Sequence, residues 1–395
     1  MTLNLTRWLP IAWALLPLAA SGAPPAAIKL TSQLATTLDM AVEINGVKGW
    51  LVVDSGGMAT FLDKSLAKDL KVSLESGQGR VEGNGGTSNT ELGEITVRVP
   101  GHQPKAFPTL SGKHRFGPMG RDTTATSLGQ MFGVLGLSEL IAAGAIIDCA
   151  GSRLILHPEG DFQCPKKGFE LTMLRYAASS NVANSEVAAR YFLWALPVKI
   201  ANKAGVMIVD TGCEVTVVTQ DFAKLVGIES STDGSPARGI GGAETSPKGM
   251  LSCALPDLLL HEKLQLGKIH GICEESSARF SKLKDVAGGG LPVIGVLGFD
   301  QLNRIKAFVD CKRGVIHTTD QPLKPERPTS CAVEGRRAVD SLANAGDKEA
   351  MEMIKTLGEN GNTFTRKQAI EFIERAVQKG LLKEDQPPVS QPIVH

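Results

Sequence analysis

Aromatic residues make up only 5% of the 395-residue chain, which has just two tyrosines, Tyr176 and Tyr191. Charge of neither sign dominates: 42 basic residues stand against 41 acidic ones, a formal net charge of +1. That balance gives no electrostatic footprint for nucleic acid or for an acidic partner. Long apolar runs are missing beyond the N-terminus, where no stretch reaches the roughly 18 to 20 uninterrupted residues of a membrane span, so no stable membrane insertion is expected. Familiar catalytic patterns fail too. His261-Glu262 lacks the second His of H-E-x-x-H, the "GLSEL" stretch at Gly136 lacks the last Gly of a nucleophile elbow, and no C-x-x-C or P-loop occurs.

The N-terminus carries what the rest lacks. Arg7, the apolar stretch Trp8 to Ala20 and the small residues Ala20-Ser21-Gly22 read as a secretory signal peptide over residues 1–22, so an exported product, periplasmic or secreted, is expected. Export makes the seven cysteines candidates for pairing. Spacing suggests three local bridges, Cys149 with Cys164, Cys253 with Cys273 and Cys311 with Cys331, leaving Cys213 as a small inert side chain. Cys213 is expected to be buried as well, and reduced or crossed arrangements stay open at this point.

Glycine is abundant, at 43 residues. Short Val-, Ile- and Leu-rich runs broken by Gly, Pro and Asn suit a turn-rich, mainly β protein. The chain is also written twice. "WLVVDSGGMATFLDKSLAKDLKV" recurs as "VMIVDTGCEVTVVTQDFAKLVGI" at an offset of 156, matching Asp54 to Asp210 and Thr60 to Thr216. "GNGGTSNTELG" from Gly83 meets "GIGGAETSPKG" from Gly239 at the same offset. "GVLGLSELIAAGAIIDCAGSRLILH" resembles "GVLGFDQLNRIKAFVDCKRGVIHT" at an offset of 162, so lobe two has gained six residues between these blocks. The expected layout is lobe one over 28–165 and lobe two over 168–330. Short helices are expected over Lys64 to Leu70, Gln220 to Val226, Ser138 to Ala143 and Asp300 to Ile305. Past Cys331 the apolar residues fall at helical spacing, with a Thr365/Gln368 capping box and a stop at Gly380. A helical C-terminal region over 331–385 and a disordered tail over 386–395 follow.

An Asp closing an apolar strand is costly to ionise unless something stabilises it. Two such residues related by duplication can meet across a pseudo-twofold axis, where close carboxyls share a proton. One member then accepts a proton from water while the other donates to a carbonyl, with no metal or cofactor required. Gly56 and Gly212 are expected to allow a tight turn with φ > 0, and Ser55 and Thr211 offer hydroxyls that could bond across the twofold. Asp148 and Asp310, each before a Cys in a turn, read as structural. The basic, Gly-rich stretch from Gly112 reads as a solvated loop.

These residues carry a family resemblance. Asp54-Ser55-Gly56 and Asp210-Thr211-Gly212, each behind an apolar triplet and followed by a Gly-rich hairpin and an apolar-apolar-Gly, resemble the aspartic peptidase family of pepsins and retropepsins over roughly residues 30 to 320. The resemblance implies two acid-protease β-barrel lobes with a small C-terminal helical region, catalytic Asp54 and Asp210 supported by Ser55, Gly56, Thr211 and Gly212, and a polypeptide substrate. Flaps are implied at Gly85, Gly86, Gly241 and Gly242. "RGIGGAETS" from Arg238 is similar to a retropepsin flap, and neither hairpin has the Tyr typical of pepsins. The chain looks like a retropepsin dimer fused into one polypeptide, a monomer with pseudo-twofold symmetry. It departs from the family after D-S/T-G, where Ala, Ser or Thr is common: Gly57 and Cys213 stand there, and Gly57 has no side chain to bond its Asp. The implied activity is aspartic endopeptidase, a hydrolase; the alternative is a peptide-binding protein that keeps the cleft without cleaving.

Overall fold

The computed structural model describes residues 26–31, 37–67, 69–83, 86–112, 130–156, 168–178, 191–228, 230–235, 250–274, 278–288, 290–318, 331–360 and 366–381. The segment read as a signal peptide (1–22), the expected tail (386–395), Gly85, Gly241, Gly242, Cys164, Thr365 and nearly all of the basic stretch lie outside these residues. The chain splits into two units, Met1–Thr31 with Thr37–Leu323, and Ser32–Thr36 with Lys324–His395.

Lobe one supplies β1 (Ala26–Lys29), β2 (Asp39–Ile44), β3 (Val47–Val53), β4 (Phe61–Asp63), β5 (Leu74–Gly83), β6 (Gly86–Arg98), β7 (Lys105–Gly112), β8 (Gln130–Leu135), helix α1 (Leu137–Ala142), β9 (Ala145–Asp148) and β10 (Arg153–Leu156). Lobe two supplies β11 (Glu170–Thr172), β12 (Leu174–Ala178), β13 (Leu193–Ile200), β14 (Lys203–Val209), β15 (Val217–Thr219), helix α2 (Gln220–Leu225), β16 (Ser230–Ser235), β17 (Met250–Leu260), β18 (Leu264–Glu274), helix α3 (Ala278–Ser281), β19 (Leu283–Asp285), β20 (Val293–Leu297), helix α4 (Phe299–Arg304), β21 (Phe308–Asp310) and β22 (Val315–His317).

The protein is mainly β, and the duplication is visible in its pairing. Lobe one forms a sheet of order β2-β3-β8-β4-β7-β6-β5, and lobe two one of order β16-β17-β18-β15-β20-β14-β13-β12-β19. In lobe one β3 runs parallel to β8, with Val52 opposite Val134; in lobe two β14 runs parallel to β20, with Ile208 opposite Val296. A third sheet, of order β1-β10-β9-β21-β22-β11, joins strands of both lobes. At its centre β9 and β21 lie antiparallel, and Cys149 N–H to Ala307 O at 2.9 Å mirrors Cys311 N–H to Ala145 O at 3.1 Å.

Local chemistry explains the turns. The β2–β3 hairpin closes through Asn45-Gly46 with φ 49° and 88°, and the equivalent β13–β14 hairpin through Ala201-Asn202 with φ 46° and 62°. Positive φ at both central residues is the twist-matched hairpin turn that Asn-Gly favours. The helix expected over Lys64 to Leu70 shortens to a single 3-10 turn at Lys64–Leu66, whereas α2 forms with Thr219 Oγ1 accepting from Phe222 N–H. Lys71 must take φ 52° where lobe two has Gly227 at 68°, a costlier stop for a side chain with a Cβ. Asp148 and Asp310 do structural work: Asp148 accepts from Gly151 N–H and pairs with Arg153, while Asp310 accepts from Lys312 and Arg313 N–H. The six added residues lie before Cys273, because β15–β18 pairs Val218 with Cys273 as β4–β7 pairs Leu62 with Ser111.

One apolar core runs through both lobes, from Leu51, Val53 and Phe132 to Met207, Val209 and Leu297. The second unit holds α5 (Cys331–Asn344), α6 (Lys348–Asn360) and α7 (Arg366–Gln378), packed on Ala338, Val339, Leu342, Ala350, Phe372 and Ala376. Asp347 caps α6 through Ala350 N–H and bonds Arg375 and Lys379 of the α7 end. α7 stops at Gly380, φ 68°, where Leu381 N–H reaches Ala376 O at 2.8 Å.

The disulfide expectation is corrected. Cys149, Cys253, Cys273 and Cys311 are free thiols, so none of the three bridges is formed as drawn from spacing, and Cys213, expected to be buried, is only half-buried. Cys149 and Cys311 are buried in the main core, with each Sγ turned to the backbone carbonyl two residues before it. Cys253 lies opposite Gly271 and Cys273 opposite Leu251, so the two are diagonal neighbours. Diagonal strand positions stand about 7–8 Å apart, beyond the usual reach of a disulfide. Burial pushes the Cys253 thiol up to about 12 and raises Cys149 and Cys311 as well, which keeps all three protonated and unreactive. Iodoacetamide applied to the native protein without reductant should leave these four cysteines unlabelled, and the same reagent after unfolding should label all four, as read by peptide mass spectrometry.

Candidate active site

Each lobe ends its central strand on an Asp that caps its own loop. Asp54 Oδ1 accepts from Gly56 N–H at 2.8 Å and Gly57 N–H at 2.9 Å; Asp210 Oδ1 accepts from Gly212 N–H at 2.8 Å and Cys213 N–H at 2.9 Å. Gly57, which has no side chain to offer, thus bonds Asp54 through its backbone N–H, as Cys213 bonds Asp210. Asp54 N–H is fixed by Leu135 O at 3.0 Å and Asp210 N–H by Leu297 O at 3.1 Å, the last residues of β8 and β20.

The lobes are tied together directly behind these carboxyls. Ser55 N–H donates to Thr211 Oγ1 at 3.1 Å and Thr211 N–H to Ser55 Oγ at 3.0 Å. Each hydroxyl then donates to the other lobe's strand, Ser55 to Val209 O at 2.8 Å and Thr211 to Val53 O at 2.7 Å. Both side chains are fully buried. Every donor in this four-bond square is satisfied across the twofold, so neither loop can move without orphaning the other.

The two acids meet. A Cβ added to Gly56 would stand 2.1 Å from Asp210 Cγ, and one added to Gly212 2.6 Å from Asp54 Cγ. Neither glycine has positive φ, which corrects the expectation of a left-handed turn. The glycines are required instead because the opposite lobe's carboxyl fills the space of a side chain. Asp54 is raised well above the usual carboxylate range, first by burial, then by the charge of Asp210 and by the hydrogen bond between the two carboxyls, against the opposing backbone bonds from Gly56 and Gly57. One proton shared between facing acids is the stable arrangement.

A second layer of acids lies behind the loops. In lobe one Glu139 Oε2 accepts from Thr60 N–H at 3.0 Å, Thr60 Oγ1 at 2.5 Å and Ser138 Oγ at 2.8 Å, while Gly136 N–H donates to Thr60 Oγ1 at 3.1 Å. In lobe two Thr216 Oγ1 donates to Asp300 Oδ1 at 2.8 Å, Gln301 Nε2 to Asp300 Oδ2 at 3.1 Å, and Gly298 N–H to Thr216 Oγ1 at 3.1 Å. Sequence reasoning matched Thr60 with Thr216 but missed these acids. The repeat aligns Ser138 with Asp300 and Glu139 with Gln301, so the carboxyl shifts by one position and no acidic residue repeats. Of the flap glycines, Gly86 pairs with Gly83 at the tip of the β5–β6 hairpin, and the other three lie outside the described residues. Among the described residues no group of three or more His, Cys, Asp or Glu side chains is placed to hold a metal ion, and no helix is long and apolar enough to cross a membrane.

Residues 40–132 match the family model described as aspartyl protease. Over that stretch the chain is similar to the aspartyl proteases. Among solved structures, the aspartic proteinase from Irpex lacteus is similar over 75% of this chain and 98% of its own, with 13% identity and a TM-score of 0.44. EIAV protease complexed with the inhibitor HBY-793 is similar over 28% of this chain and 91% of its own, with 18% identity and a TM-score of 0.22. No curated protein matches.

Two measurements check this aspartic-peptidase-like site. Thr211→Ala leaves Ser55 N–H without its acceptor and Val53 O without its donor, so stability should fall by about 1–3 kcal/mol for each buried group left unpaired, read by denaturant unfolding. Burial raises Asp300 to about 6 from 3.8, despite bonds from Thr216 and Gln301 that lower it. The folded state then holds a proton that the unfolded state has released, so this contribution to stability is present at low pH and is lost as pH rises from about 4 through about 6. Asp300→Asn should flatten that part of the stability-versus-pH curve, with the Gln301 amide turning to offer its oxygen.

Proposed function

We propose that the chain is an exported aspartic endopeptidase, acting as a single polypeptide, in which Asp54 and Asp210 activate a water molecule against a peptide bond. The observation that carries this reading is the contact of the two carboxyls across the twofold, each braced by two backbone N–H groups of its own loop and backed by the other lobe's Gly.

The chemistry follows from one proton held between two acids. The ionised carboxylate takes a proton from the water as its oxygen attacks the peptide carbonyl carbon, and the protonated carboxyl gives its proton to the carbonyl oxygen. The resulting tetrahedral diol collapses when its C–N bond breaks: one carboxyl delivers its proton to the leaving nitrogen while the other carboxylate takes the proton of a diol hydroxyl, which becomes the C=O of the product acid. The acids end with one proton between them, as they began. Preorganised N–H donors and the Ser55/Thr211 square hold the carboxyls in place, so little reorganisation accompanies the reaction.

Gly57 no longer favours the non-cleaving alternative, because its backbone supplies the bond to Asp54. The decisive experiment is cleavage of an unfolded polypeptide by the purified protein and by Asp54→Asn and Asp210→Asn, with products read by mass spectrometry. Each substitution should lower kcat by about 10²–10⁴-fold or more; equal turnover in all three would remove the proposal. Because Asp54 is raised, the shared proton persists above the ordinary carboxylate range. The alkaline limb of the kcat/KM profile should therefore lie above that range, with activity falling as pH rises and the pair loses its proton.

A further inference from the structure

We infer that Phe280 is a specificity-determining residue, closing the apolar patch beside Asp210 so that the lobe-two side of the cleft accepts only a small substrate side chain. This rests on the proteolytic reading of the same site. Side chains alternate along β14: Met207 and Val209 enter the main core, whereas Val206 and Ile208 join a second apolar cluster on the opposite face. The alternation places Asp210, the next residue after Val209, on the side of Ile208. Strand register adds two neighbours to that face, since Val296 lies opposite both Ile208 and Val217.

The cluster extends to both Asp loops. Cys213, three residues past Asp210, and Met58, four past Asp54 in the other lobe, pack against it. An apolar surface touching both loops that carry the acids is where a substrate side chain next to the scissile bond would rest. It is already covered. Phe280 of α3 belongs to the cluster and is only 5% exposed, and α3 lies against β20, the strand of Val296. Leu283 of β19 packs against the same cluster, and β19 is anchored at the sheet edge by pairing with β12 and, just past its end, by Val286 N–H to Arg175 O at 2.9 Å. The ring thus occupies volume that a bulky substrate side chain would need.

The test uses the full chain and peptides that differ only in carrying Ala, Leu or Phe at one position on either side of the scissile bond. Non-hydrolysable analogues, with a hydroxyethylene unit replacing the scissile amide, report binding by calorimetry independently of turnover. Wild-type protein should prefer Ala at one position. Phe280→Ala should raise the Leu-to-Ala ratio there by about tenfold or more, the scale on which apolar pockets discriminate. Phe280→Leu, which keeps an apolar side chain under α3, should fall between and keeps the test valid if Phe280→Ala does not fold. A ratio that moves less than about twofold, or moves alike at every position, overturns the inference while observed cleavage upholds the proteolytic reading. Analogue binding that shifts selectively without any cleavage does the reverse, and absence of both cleavage and binding overturns both.

Discussion

The hydrogen-bond square between Ser55 and Thr211 is the constraint on which the rest depends. It lies at the boundary between two lobes, is fully buried, and satisfies two N–H donors and two hydroxyls only when both loops are present. Buried polar groups are costly when unpaired, so the square works as a lock rather than as a modest addition to stability. It sets the distance between the lobes at the only place where that distance matters chemically. The carboxyls, one residue away on either side, are brought together as a consequence.

From that closeness follow the other features of the site. Two facing acids hold a proton that a lone surface carboxyl would release, so Asp54 rises well above its usual range. Glycine is imposed at positions 56 and 212 by the neighbour's carboxyl and not by backbone strain. The loops are held from behind by Thr60 and Thr216, whose hydroxyls are bonded in turn to Glu139 and Asp300. The six-stranded sheet joins the same two lobes at the β9–β21 seam, with reciprocal bonds through Cys149 and Cys311. Lobe boundary, acid pair and supporting layer are thus one connected arrangement.

The two lobes share one seven-strand order, to which lobe two adds β12 and β19, and they differ in detail. The acid behind the loop is a Glu in one lobe and an Asp one position earlier in the other, reached by different side-chain lengths. The residue after each D-S/T-G is Gly57 or Cys213, and in both cases the backbone N–H makes the bond that matters. Duplicated chains can drift in this way where a function is carried by the main chain or by a reachable atom and not by residue identity.

Much of this was legible in the sequence. The offsets of 156 and 162 gave away two copies, and Asp54, Asp210, Ser55 and Thr211 were readable as a twofold-related set because each closes the same apolar strand. Short periodic runs and Gly-rich turns made the mainly β class readable for local reasons, and helical spacing did the same for the C-terminal region. What the tertiary structure decided was everything that depends on approach between distant segments. Cysteine spacing suggested bridges, but strand register set Cys253 and Cys273 diagonally and the core enclosed Cys149 and Cys311. Glu139 and Asp300 hid because their equivalence is spatial and not positional. Sequence by itself determined which residues are paired by duplication, since local pattern repeats in one dimension. Only folding determined that Gly56 yields its space to Asp210 and that Phe280 joins one apolar cluster with Met58 and Cys213, because close contact between residues far apart in the chain leaves no trace in spacing.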